Sequence, residues 1–503
     1  MTTPLQRACT ALACAWLVMA SLSAADVSAA SAKVDLKFSF GPQPIPGYTQ
    51  VKPDDNYTPE RGYGFDLSST VSLVDNGGGA ALKSGYVTGA HGKPFFFSVK
   101  LNPGIYEVKV TLGDAKAAST TTVKAETRRL MLEAVTTKPG EMVTREFYTH
   151  LRVPQIPGAA PGRDVVRMKP RENKLSQLFL YWEDGKPMTF TELDWDEKLT
   201  LEFSDARPAL DTVEISTPPI KPVKIYLVGD STMTDQMMEP WGAWGMQFPR
   251  WLKPPAVVIN YAESGESAVS FIGELRWPKL LSELEPGDYV LIQFGINDRA
   301  AGLDRFKQAL EQMVADTKAK GAIPVLVTSQ NLRSGFFGPD GQGRQTLGDY
   351  PRTMWDLASE QKTWYIDLNS MSTALYEAIG QTDLPKAFVD TTHQNAYGSY
   401  ELSKCVMQAC IDAKLPFAQY VVDDWKTFDP KHPDPMADFK LPPDPQFDPT
   451  KLPGGAKLPT EKVPVAGQPG EFADPPTTAA TAPMRPTGTT APSATGPRGS
   501  SVP

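Results

Sequence analysis

The sequence predicts an α/β protein with two folded units, an all-β sandwich followed by a doubly wound parallel sheet. Three observations carry that prediction. Between Lys33 and Pro219 short runs alternate apolar with polar residues, from Lys224 near-continuous apolar runs alternate with helical patterns, and beyond Trp425 the chain turns proline-rich. The resulting division is 1–32, 33–219, 220–425 and 426–503.

In the first unit, IYEVKVTLGD places Tyr106, Val108, Val110 and Leu112 on one face and Glu107, Lys109 and Thr111 on the other, while Asn102, Pro103 and Gly104 supply the turn from FFFSVKL. Period-two alternation bounded by turn residues is the mark of a half-buried strand. TTTVKAETRRLMLEAV, KLTLEF and TVEIST repeat it. In the second unit KIYLVGD, VVINYAESG, YVLIQFGIND, IPVLVTSQN and WYIDLN predict five strands, separated by helical stretches such as AVSFIGELRWPKLL, DRFKQALEQMVADTKAKG and DYPRTMWDLASEQK. Apolar strands with intervening helices predict a parallel sheet covered on both faces. The segment from Lys426 holds 18 of the chain's 47 prolines and reads as an extended, disordered tail.

With 503 residues the chain exceeds a single hydrophobic core. Fifty Lys and Arg against 58 Asp and Glu give a net charge of -8, which excludes the basic footprint of a duplex nucleic-acid partner. Arg7, an apolar run from Ala8 to Leu22 and small residues from Ser23 to Ala32 predict a secretory signal peptide cleaved between Ala25 and Ala32, hence a secreted or periplasmic protein. No later run reaches the ~18 unbroken apolar residues of a membrane span. Cys9 and Cys14 leave with the signal. If Cys405 and Cys410 share one helix, ~7.5 Å of rise and ~140° of rotation separate them, which predicts two buried thiols, the alternative being a bond formed where the helix frays. The spacing of a metal site is absent and no cofactor is implied.

Ligands of an open parallel sheet bind beyond the carboxyl ends of its strands. Those ends deliver Gly229, Asp230 and Ser231, then Asn260, Ala262, Gly265, Glu266 and Ser267, then Gly295, Ile296, Asn297 and Asp298. A last polar segment, FVDTTHQNAYGSYELSK, precedes the final helix. A serine nucleophile needs a base, and the base an orienting group. Of the four histidines, His91 and His150 fall in the sandwich and His432 in the tail, which leaves His393, with Asp390 three residues before it. Ser231 is expected to open a helix whose N–H groups face an oxyanion, although the same residues also suit a plain helix cap. Ser267 is the rival nucleophile, but Val269 stands where a GxSxG elbow needs its last glycine.

GDST, the NYAESGES block, FGIND and DTTH together resemble the four blocks of the SGNH (GDSL) hydrolase superfamily. That resemblance implies a flavodoxin-like sheet, Ser231 as nucleophile, and an oxyanion hole from the N–H groups of Ser231 and Gly265 with the Asn297 side chain. It also implies His393 as base, oriented by Asp390, with no metal and no organic cofactor. GDSTM, GDYVLIQFGIND, the Arg333 loop and YIDLNSMSTALYEAIG resemble rhamnogalacturonan acetylesterases of carbohydrate esterase family 12. GYTQVKPDDNYTPERGYGFD and ETRRLML resemble the galactose-binding-like sandwich that precedes some of them. The implied function is a secreted O-acetylesterase acting on pectic rhamnogalacturonan. Another acylated glycan such as xylan is the alternative substrate, and a secreted carbohydrate-binding or adhesion protein with an inactive esterase domain the alternative class.

The chain departs from the family at Glu266, where arginine is frequent, and at Ile296, where histidine is. A carboxylate at Glu266 is expected to weaken binding of an acidic galacturonate. Arg299 and Arg333 are candidate cations for that sugar or solvated loop residues. Trp241 and Trp244 form either a sugar-stacking wall or core. Tyr48, Tyr57, Tyr63 and Phe65 either bind carbohydrate or pack inside a docking scaffold. Asn56, Tyr57 and Thr58 form a glycosylation sequon, meaningful in a eukaryotic host.

Overall fold

The computed structural model describes residues 33–78, 80–169, 180–181, 187–188 and 193–443. The expected signal peptide and the tail beyond residue 443 lie outside the described residues.

The strands of the first unit are β1 (Asp35–Ser39), β2 (Thr49–Gln50), β3 (Tyr63–Asp66), β4 (Val71–Asp75), β5 (Gly85–Gly89), β6 (Phe95–Lys100), β7 (Gly104–Gly113), β8 (Ser119–Ala125), β9 (Arg129–Thr137), β10 (Met142–Leu151), β11 (Leu180–Tyr181), β12 (Pro187–Met188), β13 (Lys198–Arg207) and β14 (Leu210–Ser216). One sheet runs β10-β7-β14-β1-β2 with β5 and β4 alongside, and the facing sheet runs β3-β6-β13-β8-β9. Their inner faces meet through the alternate residues of each strand. Tyr106, Val108, Val110 and Leu112 of β7 and Phe95, Phe97 and Val99 of β6 share one core, where Phe38, Phe40, Phe65 and Phe97 pack ring against ring.

The second unit comprises β15 (Val223–Gly229), α1 (Trp244–Gln247), β16 (Ala256–Asn260), α2 (Ala268–Gly273), α3 (Arg276–Glu283), β17 (Tyr289–Gln293), α4 (Leu303–Ala319), β18 (Ile323–Val327), α5 (Tyr350–Gln361), β19 (Trp364–Ile366), α6 (Leu368–Ile379) and α7 (Ala396–Asp412). The five strands are parallel in the order β16-β15-β17-β18-β19. Because successive side chains point to opposite faces, each strand feeds two cores. Ile225, Leu227, Tyr289 and Leu291 pack with Trp244 of α1, Leu375 of α6 and Leu402 of α7. Tyr226, Val228, Val290 and Ile292 pack with Phe271 of α2, Trp277 of α3, Phe306 of α4 and Met354 of α5. Each buried aliphatic chain here is worth roughly 1.5–3 kcal/mol. Among the described residues no helix is long and apolar enough to cross a membrane. Cys405 and Cys410 are both free and buried on α7.

The two units share more than a linker. Tyr148, Ile156, Val166 and Trp195, all from the sandwich side of the chain, belong to the core beneath β16 and α2. The disordered tail expected from Lys426 onward is corrected over its first part. Residues 426–443 lie against α7, with Phe428, Met436, Phe439 and Leu441 on the core. The Phe428 N–H donates to Gln408 Oε1 at 2.9 Å, Tyr397 Oη donates to the Asp434 carbonyl at 2.7 Å, and Lys124 Nζ donates to the Pro442 carbonyl at 3.1 Å. Side chains of the folded units satisfy this backbone, so a segment too proline-rich for its own secondary structure is still anchored.

Candidate active site

The strand β15, which lies between β16 and β17, ends at Gly229, where a Cβ would lie 2.8 Å from the Gln293 carbonyl and from Met233 Sδ, closer than such contacts allow. Asp230, fully buried, accepts from the Thr232 N–H at 2.9 Å and Thr232 Oγ1 at 2.7 Å. Burial pushes its carboxyl up to about 6, against the pull of those donors. Its carbonyl accepts from the N–H groups of Met233 and Thr234, both at 3.1 Å, which closes Ser231 into one tight turn. The helix expected to open at Ser231 is absent, and the next helix, α1, starts at Trp244. Beyond this turn the Asp235 side chain accepts from Arg129 at 2.7 Å, and Gln236 Nε2 takes the Ser231 carbonyl, at 2.6 Å, that the next helical turn would use.

His393 reaches Ser231 from the loop before α7. Nε2 lies 2.8 Å from Ser231 Oγ and Nδ1 lies 2.7 Å from Asp390 Oδ2. The carboxylate favours the tautomer with the proton on Nδ1, which leaves Nε2 to accept from the serine hydroxyl. The second Asp390 oxygen accepts from the N–H groups of Thr392 and His393, each at 2.7 Å. Burial alone would raise the Asp390 carboxyl, but His393 and these backbone donors hold it at about 2. Asn395 caps α7 by accepting from the Gly398 N–H at 3.1 Å, and the Gly242 N–H donates to the Gln394 carbonyl at 2.8 Å. The loop of His393 is thereby fixed at both ends.

The other two loops stand beside this turn. The Glu263 N–H donates to the Gly229 carbonyl at 3.1 Å, bringing the loop of Gly265 against the end of β15, and Gly265 turns with φ of 79°. Asn297 Nδ2 donates to the Glu266 carbonyl at 2.9 Å, and since an amide carries two N–H bonds one remains for a ligand. Asp298 braces both loops by accepting from the Ala268 and Gly295 N–H groups, each at 2.8 Å. Burial pushes its carboxyl up to about 7 against these donors.

Glu266 does not face a substrate, contrary to its expected effect on an acidic sugar. It is fully buried, with Oε1 2.8 Å from Lys169 Nζ and 3.7 Å from Arg276 Nε, and Oε2 accepts from Ser270 Oγ at 2.5 Å. Its charge is neutralised internally. Ser267 caps α2, accepting from the Ser270 N–H at 3.1 Å. Arg299 is exposed, with Nε donating to the Ile296 carbonyl at 3.1 Å. Arg333 is half-buried and donates from Nε to the Asp390 carbonyl at 2.9 Å, so it touches the loop of His393. Trp241, half-buried, sits next to Gly242 on the strand-like pairing with Gln394. Trp244 is core, its Nε1 donating to Gln293 Oε1 at 2.7 Å. In the sandwich, Phe65 is core, Tyr63 packs on Phe38, and Tyr48 and Tyr57 are half-buried.

Sequence reasoning assigned no role to Asp298, Gln236, Arg128, Arg129 or Lys169, all of which hold the loops of the site. The available signal was ETRRLML, two adjacent arginines inside an otherwise strand-forming run. A charge pair at such a position is either solvated or specifically partnered.

A profile of the GDSL-like lipase/acylhydrolase family matches residues 227–399. A second, for the galactose-binding domain-like part of β-agarase/YXIM esterase-like proteins, matches residues 36–141. YxiM of Bacillus subtilis (strain 168), described as an uncharacterized esterase, is 30% identical over 397 residues, covering 76% of this chain and 92% of YxiM. The crystal structure of YxiM aligns over 76% of this chain and 99% of its own at 25% identity with a TM-score of 0.39. The rhamnogalacturonan acetylesterase RhgT of the same organism is 33% identical over 223 residues, 40% of this chain and 95% of RhgT. The protein is thus a carboxylic ester hydrolase. The chain belongs to the GDSL-like lipase/acylhydrolase family, in a two-domain form with a galactose-binding-like sandwich before the hydrolase domain.

Proposed function

We propose that the protein is an exported O-acetylesterase of glycans, with pectic rhamnogalacturonan as its polysaccharide. The observation that carries the chemistry is the unbroken chain from Ser231 Oγ through His393 to Asp390. His393 Nε2 takes the serine proton as Oγ attacks the acetyl carbonyl, and Asp390 stabilises the imidazolium that forms. The carbonyl oxygen gains negative charge and is held by the N–H groups of Ser231 and Gly265 and by Asn297 Nδ2. His393 then protonates the departing sugar alcohol, and water, activated by the same imidazole, releases acetate from Ser231.

The substrate class is supported by relatives described as acting on it, RhgT and the probable rhamnogalacturonan acetylesterase YesY of Bacillus subtilis. Arg299 is the cation offered to a galacturonate carboxylate, and export rests on the basic, apolar and small segments of residues 1–32. The test has two arms. Acetate release from acetylated rhamnogalacturonan is expected to exceed release from acetylated xylan, and the reverse order overturns the substrate. A folded Ser231→Ala variant is expected to release none from either, and undiminished release overturns the mechanism.

A further inference from the structure

Three cations on the amino-terminal side of the chain reach loops that carry the site. Arg128 and Arg129 stand at the turn between β8 and β9, where Glu126 and Arg128 hold left-handed backbone with φ of 53° and 59°. Residues other than glycine hold such angles where their surroundings over-determine them. Arg128 Nη1 donates to the carbonyls of Gln236 at 3.1 Å and Trp241 at 2.8 Å, and Nη2 lies 3.4 Å from Glu239 Oε1. Gln236 in turn donates from Nε2 to the Ser231 carbonyl at 2.6 Å. Arg129, fully buried, donates from Nε to Asp235 Oδ2 at 2.7 Å and pairs with Asp194. Asp235 Oδ1 accepts from Asn260 Nδ2 at 2.9 Å, and the same amide donates to the Met233 carbonyl at 2.9 Å. Lys169 Nζ donates to the Ser264 carbonyl at 2.7 Å, one residue before Gly265.

We propose that the sandwich is a working part of the esterase site, with Arg128 and Arg129 as positioning residues that fix the nucleophile turn through Gln236 and through Asp235 and Asn260. The turn has no helix behind it, so beyond its own bonds to the Asp230 carbonyl it is held by side chains. Two relays from the hairpin end on its carbonyls, one at Ser231 and one at Met233. Arg129 sits between two carboxylates, and its removal leaves Asp235 buried without its ion-pair partner and Asp194 with Arg152 alone, which threatens folding. Arg128 holds two neutral carbonyls and one carboxylate, Glu239, that solvent still reaches, and is the residue to test.

The inference rests on Ser231 being the nucleophile, and a double-mutant cycle on the full chain with 4-nitrophenyl acetate separates the two. Wild type active and Ser231→Ala inactive secures the nucleophile on its own. Arg128→Ala and Gln236→Met are each expected to lower kcat by about 10- to 100-fold with KM within about twofold, the loss that a displacement near 1 Å produces. The double variant is expected to be no slower than the slower single one, because both break one relay. Arg128→Lys, which keeps a donor, recovers part of kcat. Multiplying losses in the double variant, or full kcat in folded Arg128→Ala, overturn the relay. Hydrogen exchange by mass spectrometry decides without activity. Peptides spanning 231–241 are expected to exchange faster in both single variants while the sandwich core is unchanged, and unchanged exchange there overturns the proposal. If Arg128→Ala does not fold, Arg128→Lys takes its place in the cycle and the exchange measurement.

Discussion

The nucleophile turn and the loop of His393 solve the same problem by opposite means. The loop of His393 is held mainly within its own sequence: Asp390 accepts from Thr392 and His393 and Asn395 from Gly398, a device of nine residues, to which Gly242 and Arg333 add bonds from afar. The turn at Ser231 is held from a distance, by Gln236, by Asn260 on the neighbouring strand and by arginines about a hundred residues upstream. A local device is portable and visible in sequence. A distant one ties the chemistry to another domain.

The sharpest way to test this contrast is to break each side and compare. Ser231→Ala is expected to remove roughly 10⁴-fold or more of turnover, and Asp390→Asn, which forces the wrong imidazole tautomer, about 10⁴-fold. Melting of Ser231→Ala near the wild type, and a folded Asp390→Asn at the assay temperature, would place these losses in chemistry. Asn297→Ala removes one oxyanion donor and should cost roughly 10²- to 10³-fold in kcat with little change in KM. A larger rise in KM than fall in kcat would reassign Asn297 to ground-state binding.

Smaller effects separate stability from chemistry. Burial would push the Asp390 carboxyl up, yet its partners hold it at about 2, below the ordinary value near 4. The unfolded chain therefore binds this proton first as pH falls, so the stability that Asp390 contributes is complete above about pH 4 and lost on approaching about pH 2. The difference in stability between wild type and Asp390→Asn, followed by urea unfolding, should narrow across that window, and a constant difference would contradict the assignment. Lys169→Met leaves Glu266 with fewer counter-charges in a buried site, a loss on the scale of about 3–5 kcal/mol in stability. Its effect on kcat should be the least of the set, because Arg276 and Asn297 still hold that loop.

How much of this was legible follows from the range of each interaction. The alternation in β7 and the apolar runs of β15 and β17 are periodic, so both sheets could be read residue by residue. Ser231, His393 and Asp390 could be singled out because histidine is scarce and the last pair is three residues apart. Glu266 was misread because its partner Lys169 lies about a hundred positions away and leaves no local trace. The helix expected at Ser231 stops after one turn, where Gln236 takes the Ser231 carbonyl and Asp235 is tied to Arg129 and Asn260, partners that local sequence does not show. The tail was averaged as one proline-rich composition, which hid the four apolar anchors between Phe428 and Leu441. Arg128 and Arg129 left a signal, a charged pair in an apolar hairpin, but only the fold shows which loop they hold.

The hairpin tip also bears on how such enzymes can be recombined. A sandwich attached only through a linker could be exchanged for any other module during evolution or by an engineer. This one carries two arginines whose partners, Asp235, Gln236, Glu239 and Trp241, lie within seven residues of one another in the hydrolase domain. If these contacts position the turn as proposed, the two domains form a matched set, and a chimera built at the 217–222 junction is expected to function only when hairpin and acceptor segment are transplanted together.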